Sequence, residues 1–554
     1  MAVVGFEIKD FESLGYTKGR LAELLPAVGL EVEGMTDAEV RTNVTPNRPD
    51  LLDFIGVLRL LDSFTGKSVP NEGRYTIKNQ PVMNIEVAKE VKEVRPFIAG
   101  LVVKNVDLSG NTLKYLISFT DKFADTYGRR RAKLAIGLHN LDAIEGSELV
   151  YGAAAGGEEQ HFVPLNSAKQ MSFSEAVRST EKGRTYGYTL GGAGTRYPFL
   201  KDSKKVLALI PIINSEATRV TEKTRELFVD ITGTSRGTID NAANLLACSF
   251  MYSGAEVYPV TVEYKNGAEV TPKPAYREVK VSLRNAERTL GVELGRHNVI
   301  GLANKMGYVA AKYGGNVQFF VPPYRVDVLN DQDVIEDLAI SFGYDNIVAA
   351  PVSGYVDGLA DELTEEENDM AVFMIGIGYT EAINSSLTNE KVNFENMRRK
   401  ASADKYISIA DSKTLSVSML RTALLPALMQ NLRESMNERM PHRMFEIGRV
   451  YGLEDKRPRE AIHIALVSEH ARANFAEIRS AVDEILKYTE MKDVEFKEAR
   501  DEAFIAGRCA SVVAGDNVVG VLGEMHPEVL ERFGLEEPTV GAELTIVKEI
   551  KYEV

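Results

Sequence analysis

The stretch PPYRVDVLNDQDVIEDLAISFGYDNI, residues 322–347, sets Asp327, Asp331, Asp333, Glu336 and Asp337 beside an apolar periodic segment. Asp333, Glu336 and Asp337 stand at i, i+3 and i+4, so if DVIEDLAISFG is helical all three share one face of its first turn. Asp327 arrives from the extended PYRVDV just before. Two carboxylates about 5 Å apart at an effective dielectric of roughly 20 repel by roughly 3 kcal/mol, so several together need a cation, a basic partner or full solvation. A Mg²⁺ ion, which takes oxygen ligands and keeps several waters, meets that need. The pair Asp333 and Glu336 also reads as an acidic capping box, in which first-turn acids suit the helix dipole. Both readings stand on spacing alone, because Asp333 can cap while Glu336 and Asp337 face outward.

Around this stretch, residues 272–349 read as one unit: a strand (EVKVSLRN), two helical segments (AERTLG and RHNVIGLANKMG), a strand pair (YVAAKYGGNVQFFVP) and the acidic helix. The polar YKNGAEVTPKPAY, with its glycine and two prolines, reads as a hinge before it. Upstream, residues 1–80 form a small N-terminal domain that includes TPNRPDLLDFIGVLR, and residues 81–268 form an α+β domain with antiparallel sheets. Downstream, residues 355–554 alternate strands and helices around one large antiparallel sheet. There Ser418, Arg421, Leu424, Leu425 and Leu428 pattern an amphipathic helix, and MFEIGRVY a buried strand. The expected class is α+β and multidomain.

Composition bounds the partners. At 554 residues the chain exceeds what one core supports, and 44% hydrophobic with 26% charged residues describes a globular protein. No apolar run reaches the 18 or so residues that cross a bilayer, and MAVVGFEIKDFESLGY has no secretory pattern, so a cytoplasmic location without membrane contact is expected. Cys248 and Cys509 sit far apart in apolar surroundings and read as small buried hydrophobes. A net charge of −15 requires that any nucleic-acid contact use a local basic patch, for which Arg129, Arg130, Arg131 and Lys133 are the best candidate, a solvated helix end being the plainer reading. The seven histidines include no pair at i, i+3 or i+4, which argues against a zinc hydrolase, and His139 reads as a structural histidine, a cleft-facing one being the alternative. The glycine-rich GGAGTR, residues 191–196, does not follow a strand and open a helix as a phosphate loop does.

P-x-Y-R-x-D followed by D-x-x-E-D and G-Y-D-x-I resembles a domain of the beta subunit of phenylalanyl-tRNA synthetase, and three more blocks agree in family order. TPNRPDLLDFIGVLR (45–59) resembles the family's N-terminal signature, IPIINSEATRVTEKTRELFVDITGT (210–234) its editing domain, and SMLRTALLPALMQNL with MFEIGRVY (418–432, 444–451) its catalytic-like domain. The length matches the short archaeal and eukaryotic type. The resemblance implies a B5-type, winged-helix-like domain at 272–349 and an inactive class II synthetase-like core at 355–554. It implies an α2β2 tetramer with an alpha subunit that uses ATP to charge tRNA(Phe) with phenylalanine, while this chain assembles the complex, binds tRNA and hydrolyses Tyr-tRNA(Phe). It also implies a magnesium ion on Asp327, Asp333, Glu336 and Asp337.

The residues support a chain silent in charging: at GVLGEMHPEVLERFG, Gly520 and Gly523 precede Glu524 and His526, with no arginine placed for a phosphate. The editing block carries Asn214, Asp230, Thr232 and Thr234 at the edge of apolar strands, where a carboxylate or hydroxyl can bond the tyrosine hydroxyl that phenylalanine lacks. By resemblance Asp230 and Thr232, with Asn214 beside them, line the editing pocket; DITGT also reads as a turn closing a strand. Ala208 stands where relatives carry a small polar residue, and Ser215 where glycine is common. The alternatives are a free-standing editing hydrolase or RNA-binding adaptor, and a Mg²⁺-dependent phosphohydrolase, for which only Arg325 offers a phosphate-binding charge beside the cluster.

Overall fold

Asn330, whose side chain accepts from Gln332 N, opens the helix Asp331–Phe342, and Asp333 at its third position reaches back to the Asn330 N–H. The capping box therefore sits one turn earlier than Asp333 with Glu336, because Asn330 takes the extended backbone of an N-cap. The computed structural model describes residues 2–156, 160–191, 196–294, 296–352, 354, 356–410, 412, 414 and 416–547, excluding the side chains of 296–298, 312 and 547. The glycine-rich 192–195 lie outside the described residues. The chain divides into two compact units, Met1–Pro351 and Val352–Val554.

In the first unit, the acidic helix and the helices Leu283–Leu290 and Arg296–Lys305 accompany a three-stranded sheet of Arg277–Ser282, Asn316–Val321 and Val309–Tyr313. Upstream stands a second three-stranded sheet, with Glu39–Val44 antiparallel between Ala2–Glu7 and Glu31–Met35. Between these segments in sequence lies a ten-stranded sheet. Its strand Leu227–Gly233 runs antiparallel to both Phe97–Lys104 and Leu134–Asn140, and all its residues are buried. Helix Arg236–Tyr252 covers this part of the sheet with Ile239, Ala243 and Leu246. One core runs through all three stretches of sequence, from Val4, Leu25 and Val57 through Leu101, Val229 and Leu246 to Phe319, Val334 and Leu338.

The hinge read from YKNGAEVTPKPAY is largely a strand instead. Gly267–Thr271 pairs antiparallel with Glu256–Tyr264, and Thr271 Oγ1 bonds both backbone groups of Gly100 at 3.0 Å. Lys265-Asn266 is the turn of this hairpin, and Gly267, paired with Tyr264 just after it, takes φ +139°, where glycine is favoured.

The second unit is built on a seven-stranded sheet in the order Thr380–Glu381, His442–Glu454, Arg457–Glu469, Thr539–Val547, Asn517–Met525, Phe504–Ala514, Val494–Glu498. Neighbours are antiparallel except the first pair, which is parallel. Helix Phe475–Tyr488 contributes Val482 and Ile485 to one core, and helix Leu425–Glu434 contributes Leu425, Leu428 and Leu432 to another. That second helix begins at Leu425 rather than Ser418: Met419–Leu420 is drawn into a strand pair with Leu387–Thr388, and Pro426 suits the first helical turn.

Candidate functional site

Asp230 and Thr232 are two apart on Leu227–Gly233 and so share one face of the strand. Asp230 stands opposite Gly137, and a Cβ at Gly137 would lie 1.9 Å from Asp230 Oδ2, so only glycine leaves room for the carboxylate. That Oδ2 is 3.0 Å from His139 Nε2, and His139 Nδ1 is 2.8 Å from Thr218 Oγ1. His139 is thus a buried side chain bonded on both nitrogens, as the structural reading had it, and it orients Asp230. Asp230 Oδ1 has no hydrogen-bond partner among the described residues.

Thr232 Oγ1 accepts from Arg95 Nε at 3.1 Å, and the Thr232 carbonyl accepts from Arg95 Nη2 at 2.8 Å. Burial pushes the Arg95 guanidinium down to about 10. Asn214, opposite Ala208 across the strand pair, donates to the Leu138 carbonyl at 3.0 Å. Asn214, Asp230 and Thr232 meet around a cavity of about 30 Å³, the volume of one water. A second cavity of about 510 Å³ shares Arg131, Ile136, Ile212 and Asn214 with it and extends past Ser167, Lys182 and Thr218. A cavity of this size takes a small ligand. Ser215 caps the turn Glu216–Thr218, and Ala208 is buried without a polar group to offer.

The sequence did not separate Arg131 from its neighbours. Arg131 is buried and donates to the carbonyls of Pro211 and Ile212, each at 3.0 Å, and to Asp121 at 2.8 Å, while Arg129 and Arg130 are exposed. Arg95, Thr218 and the role of His139 were also missed, because their partners lie far away in sequence. Cys248 and Cys509 are free and buried; burial pushes the Cys248 thiol up to about 12.

The carboxylates of the acidic stretch are parted among other partners. Arg325 forms a bidentate pair with Asp327, at 2.9 and 2.7 Å, and its Nη1 lies 2.6 Å from Asp337 Oδ2, which also accepts from the Tyr308 hydroxyl. Asp333 Oδ2 accepts the N–H groups of Leu329 and Asn330 at 2.6 and 2.9 Å, and Glu336 is exposed. The expected magnesium set Asp327, Asp333, Glu336 and Asp337 is therefore not assembled, since Arg325 supplies the positive charge that two of its members need. Among the described residues no group of three or more His, Cys, Asp or Glu is placed to hold a metal. The N-terminal block joins this network: Arg48 pairs with Asp50 at 2.9 Å and lies 4.0 Å from Asp327, and the Arg59 guanidinium stacks 3.5 Å over the Tyr324 ring.

A family model described as the phenylalanyl tRNA synthetase beta chain CLM domain matches residues 349–546, and one described as the tRNA synthetase B5 domain matches residues 279–344. A crystal structure of an N-terminal fragment of the phenylalanyl-tRNA synthetase beta subunit from Pyrococcus horikoshii covers 62% of this chain and 99% of the fragment, at 29% identity and a TM-score of 0.57. Two relatives named phenylalanine–tRNA ligase beta subunit match over almost their whole length. The one from Archaeoglobus fulgidus is 35% identical over 99% of this chain and 98% of its own, and the one from Methanococcoides burtonii is 31% identical over 99% and 100%. Fold and matches define a subunit of an aminoacyl-tRNA ligase. The chain belongs to the family of phenylalanine–tRNA ligase beta subunits.

Proposed function

We propose that this chain is the non-charging subunit of an α2β2 phenylalanine–tRNA ligase: an alpha subunit activates phenylalanine with ATP and charges tRNA(Phe), while this chain completes the assembly, binds tRNA and hydrolyses Tyr-tRNA(Phe). A hydrophobic pocket rejects a ligand that merely adds a hydroxyl by only about 100-fold, so a second, hydrolytic site is needed against tyrosine. The observation that carries the reading is Asp230, held through Oδ2 by His139 at 3.0 Å, beside a cavity the size of one water on the wall of a ligand-sized one. In this reading the acyl group occupies the larger cavity. Asp230, Thr232 and Asn214 present polar atoms to a phenol hydroxyl or to the attacking water.

The seven-stranded sheet serves as a class II synthetase-like core and the 279–344 segment as a winged-helix-like module. The core's silence in charging is supported by Arg421, buried and committed to Glu446 at 2.5 Å and to the Arg449 carbonyl at 2.8 Å, so its charge is not offered to a phosphate. No helix among the described residues is long and apolar enough to cross a membrane, which suits work on tRNA in the cytoplasm. The magnesium expected on the acidic stretch does not fit the arrangement around Arg325 and has no part in this mechanism.

The test is ATP-dependent charging of tRNA(Phe) by this chain alone and mixed with the alpha subunit from the same source, followed by hydrolysis of preformed Tyr-tRNA(Phe). Charging only in the mixture, with hydrolysis lost in Asp230→Asn, is the expected result. Charging in neither, with a folded partner, replaces the reading with a free-standing hydrolase or RNA-binding adaptor.

A further inference from the structure

Arg129, Arg130 and Arg131 are three successive non-glycine residues in the left-handed region, at φ 49°, 51° and 65°. Their N–H groups bond back to the carbonyls of Thr126, Asp125 and Ala124 at 3.0, 2.9 and 2.9 Å, which fixes a tight turn after the helix Thr112–Asp125. This turn sends the three side chains to different places. Arg131 goes inward, where its guanidinium lies 4.0 Å over the Tyr186 ring and lines both cavities, its Nε buried without a partner. Arg129 and Arg130 go outward and form no ion pair among the described residues. Beside them Tyr188 is 55% exposed; its hydroxyl donates to the Arg130 carbonyl at 2.5 Å, and the Arg130 guanidinium sits 5.7 Å from its ring centre.

An exposed aromatic ring with the Arg130 guanidinium beside it, and a second guanidinium without an ion pair on the preceding residue, make the combination that holds single-stranded nucleic acid, charge for the phosphates and a face for a base. On a chain with a net charge of −15 such a patch is local by necessity, and it stands one residue from the wall of a cavity of about 510 Å³. We propose that Arg129, Arg130 and Tyr188 form the platform on which the single-stranded 3′ end of an aminoacylated tRNA lies, so that its acyl end enters the larger cavity past Arg131. This rests on the editing reading and adds to it the surface that delivers the substrate.

The test uses the full chain and a 5′-labelled RNA minihelix carrying a single-stranded 3′-CCA end, with a blunt minihelix as control, titrated over a range of salt. The triple variant R129Q/R130Q/Y188L is expected to bind the tailed RNA about tenfold more weakly, the loss of a stacked base and two phosphate contacts. Its log–log salt slope should be shallower by about 1.4, and its binding of the blunt RNA unchanged. R129K/R130K should keep the salt slope. Unchanged binding of the tailed RNA by the triple variant overturns the proposal, as does an equal loss for both RNAs. Hydrolysis of Tyr-tRNA(Phe) by the unaltered chain is scored separately: its absence together with the tail-specific loss removes the editing reading and leaves the RNA surface standing.

Discussion

Arg325 Nη1 stands 2.6 Å from Asp337 Oδ2 while the same guanidinium holds Asp327, so one arginine neutralises the two most buried carboxylates of the acidic stretch. Arg325 is only 3% exposed and Asp337 4%, so removal of the arginine leaves Asp337 with the neutral Tyr308 hydroxyl alone and Asp327 with only Arg48 at 4.0 Å, in a low-dielectric interior. Arg325→Gln is expected to destabilise the first unit by about 3–5 kcal/mol in urea unfolding. Adding Asp327→Asn and Asp337→Asn should recover a large part of that loss. Full stability in Arg325→Gln alone would show that another cation serves the carboxylates.

Acid should weaken the same network. Burial pushes the Asp327 carboxyl upward, but the pair with Arg325 overcomes it and holds the group below the usual carboxylate range. A lowered pKa in the folded chain means that the unfolded chain binds the proton more readily. The contribution is complete above the unfolded value of about 3.9 and fades as pH falls through the lower folded value. The stability gap between the unaltered chain and Asp327→Asn should be constant near neutral pH and shrink below about pH 4. A gap that stayed constant through that range would count against the pairing.

Magnesium should leave the isolated chain unchanged. With Asp327 and Asp337 committed to Arg325 and Asp333 to backbone N–H groups, millimolar Mg²⁺ is expected to leave Tm where it is in its absence. A rise of several degrees that disappears in Glu336→Gln, an exposed side chain outside the pairs, would restore the ion site.

Gly137→Ala is expected to abolish hydrolysis of Tyr-tRNA(Phe) while charging by the assembled complex continues, because a Cβ placed 1.9 Å from Asp230 Oδ2 must drive the carboxylate out of its position. His139→Asn removes the bond that orients Asp230 without touching the cavity wall. It should lower hydrolysis of Tyr-tRNA(Phe) by about 10- to 100-fold, the worth of a buried hydrogen bond, with KM nearly constant. Equal effects of both variants on charging and hydrolysis would show a general folding defect instead.

Local pattern was enough to find the elements around the opening stretch. The strand Arg277–Ser282, the helices Leu283–Leu290 and Arg296–Lys305, the pair Val309–Tyr313 with Asn316–Val321 and the acidic helix all follow from period, turn residues and caps within a few positions of each other. The four family blocks were equally legible, and Asn214, Asp230 and Thr232 do meet around one cavity.

What the sequence determined by itself was this series of elements, the burial of Cys248 and Cys509, and the crowding of carboxylates that had to be neutralised. Tertiary structure decided by what. Arg325 lies two residues from Asp327 and reaches Asp337 only after the acidic helix folds back against it, a geometry no spacing rule contains. It likewise decided that the supposed hinge pairs as the strand Gly267–Thr271, that Arg131 turns inward while Arg129 and Arg130 stay in water, and that His139 meets Asp230 across neighbouring strands. Each of these depends on groups distant in sequence sharing one desolvated space, where charge and hydrogen bonds must be matched by whatever the fold brings near.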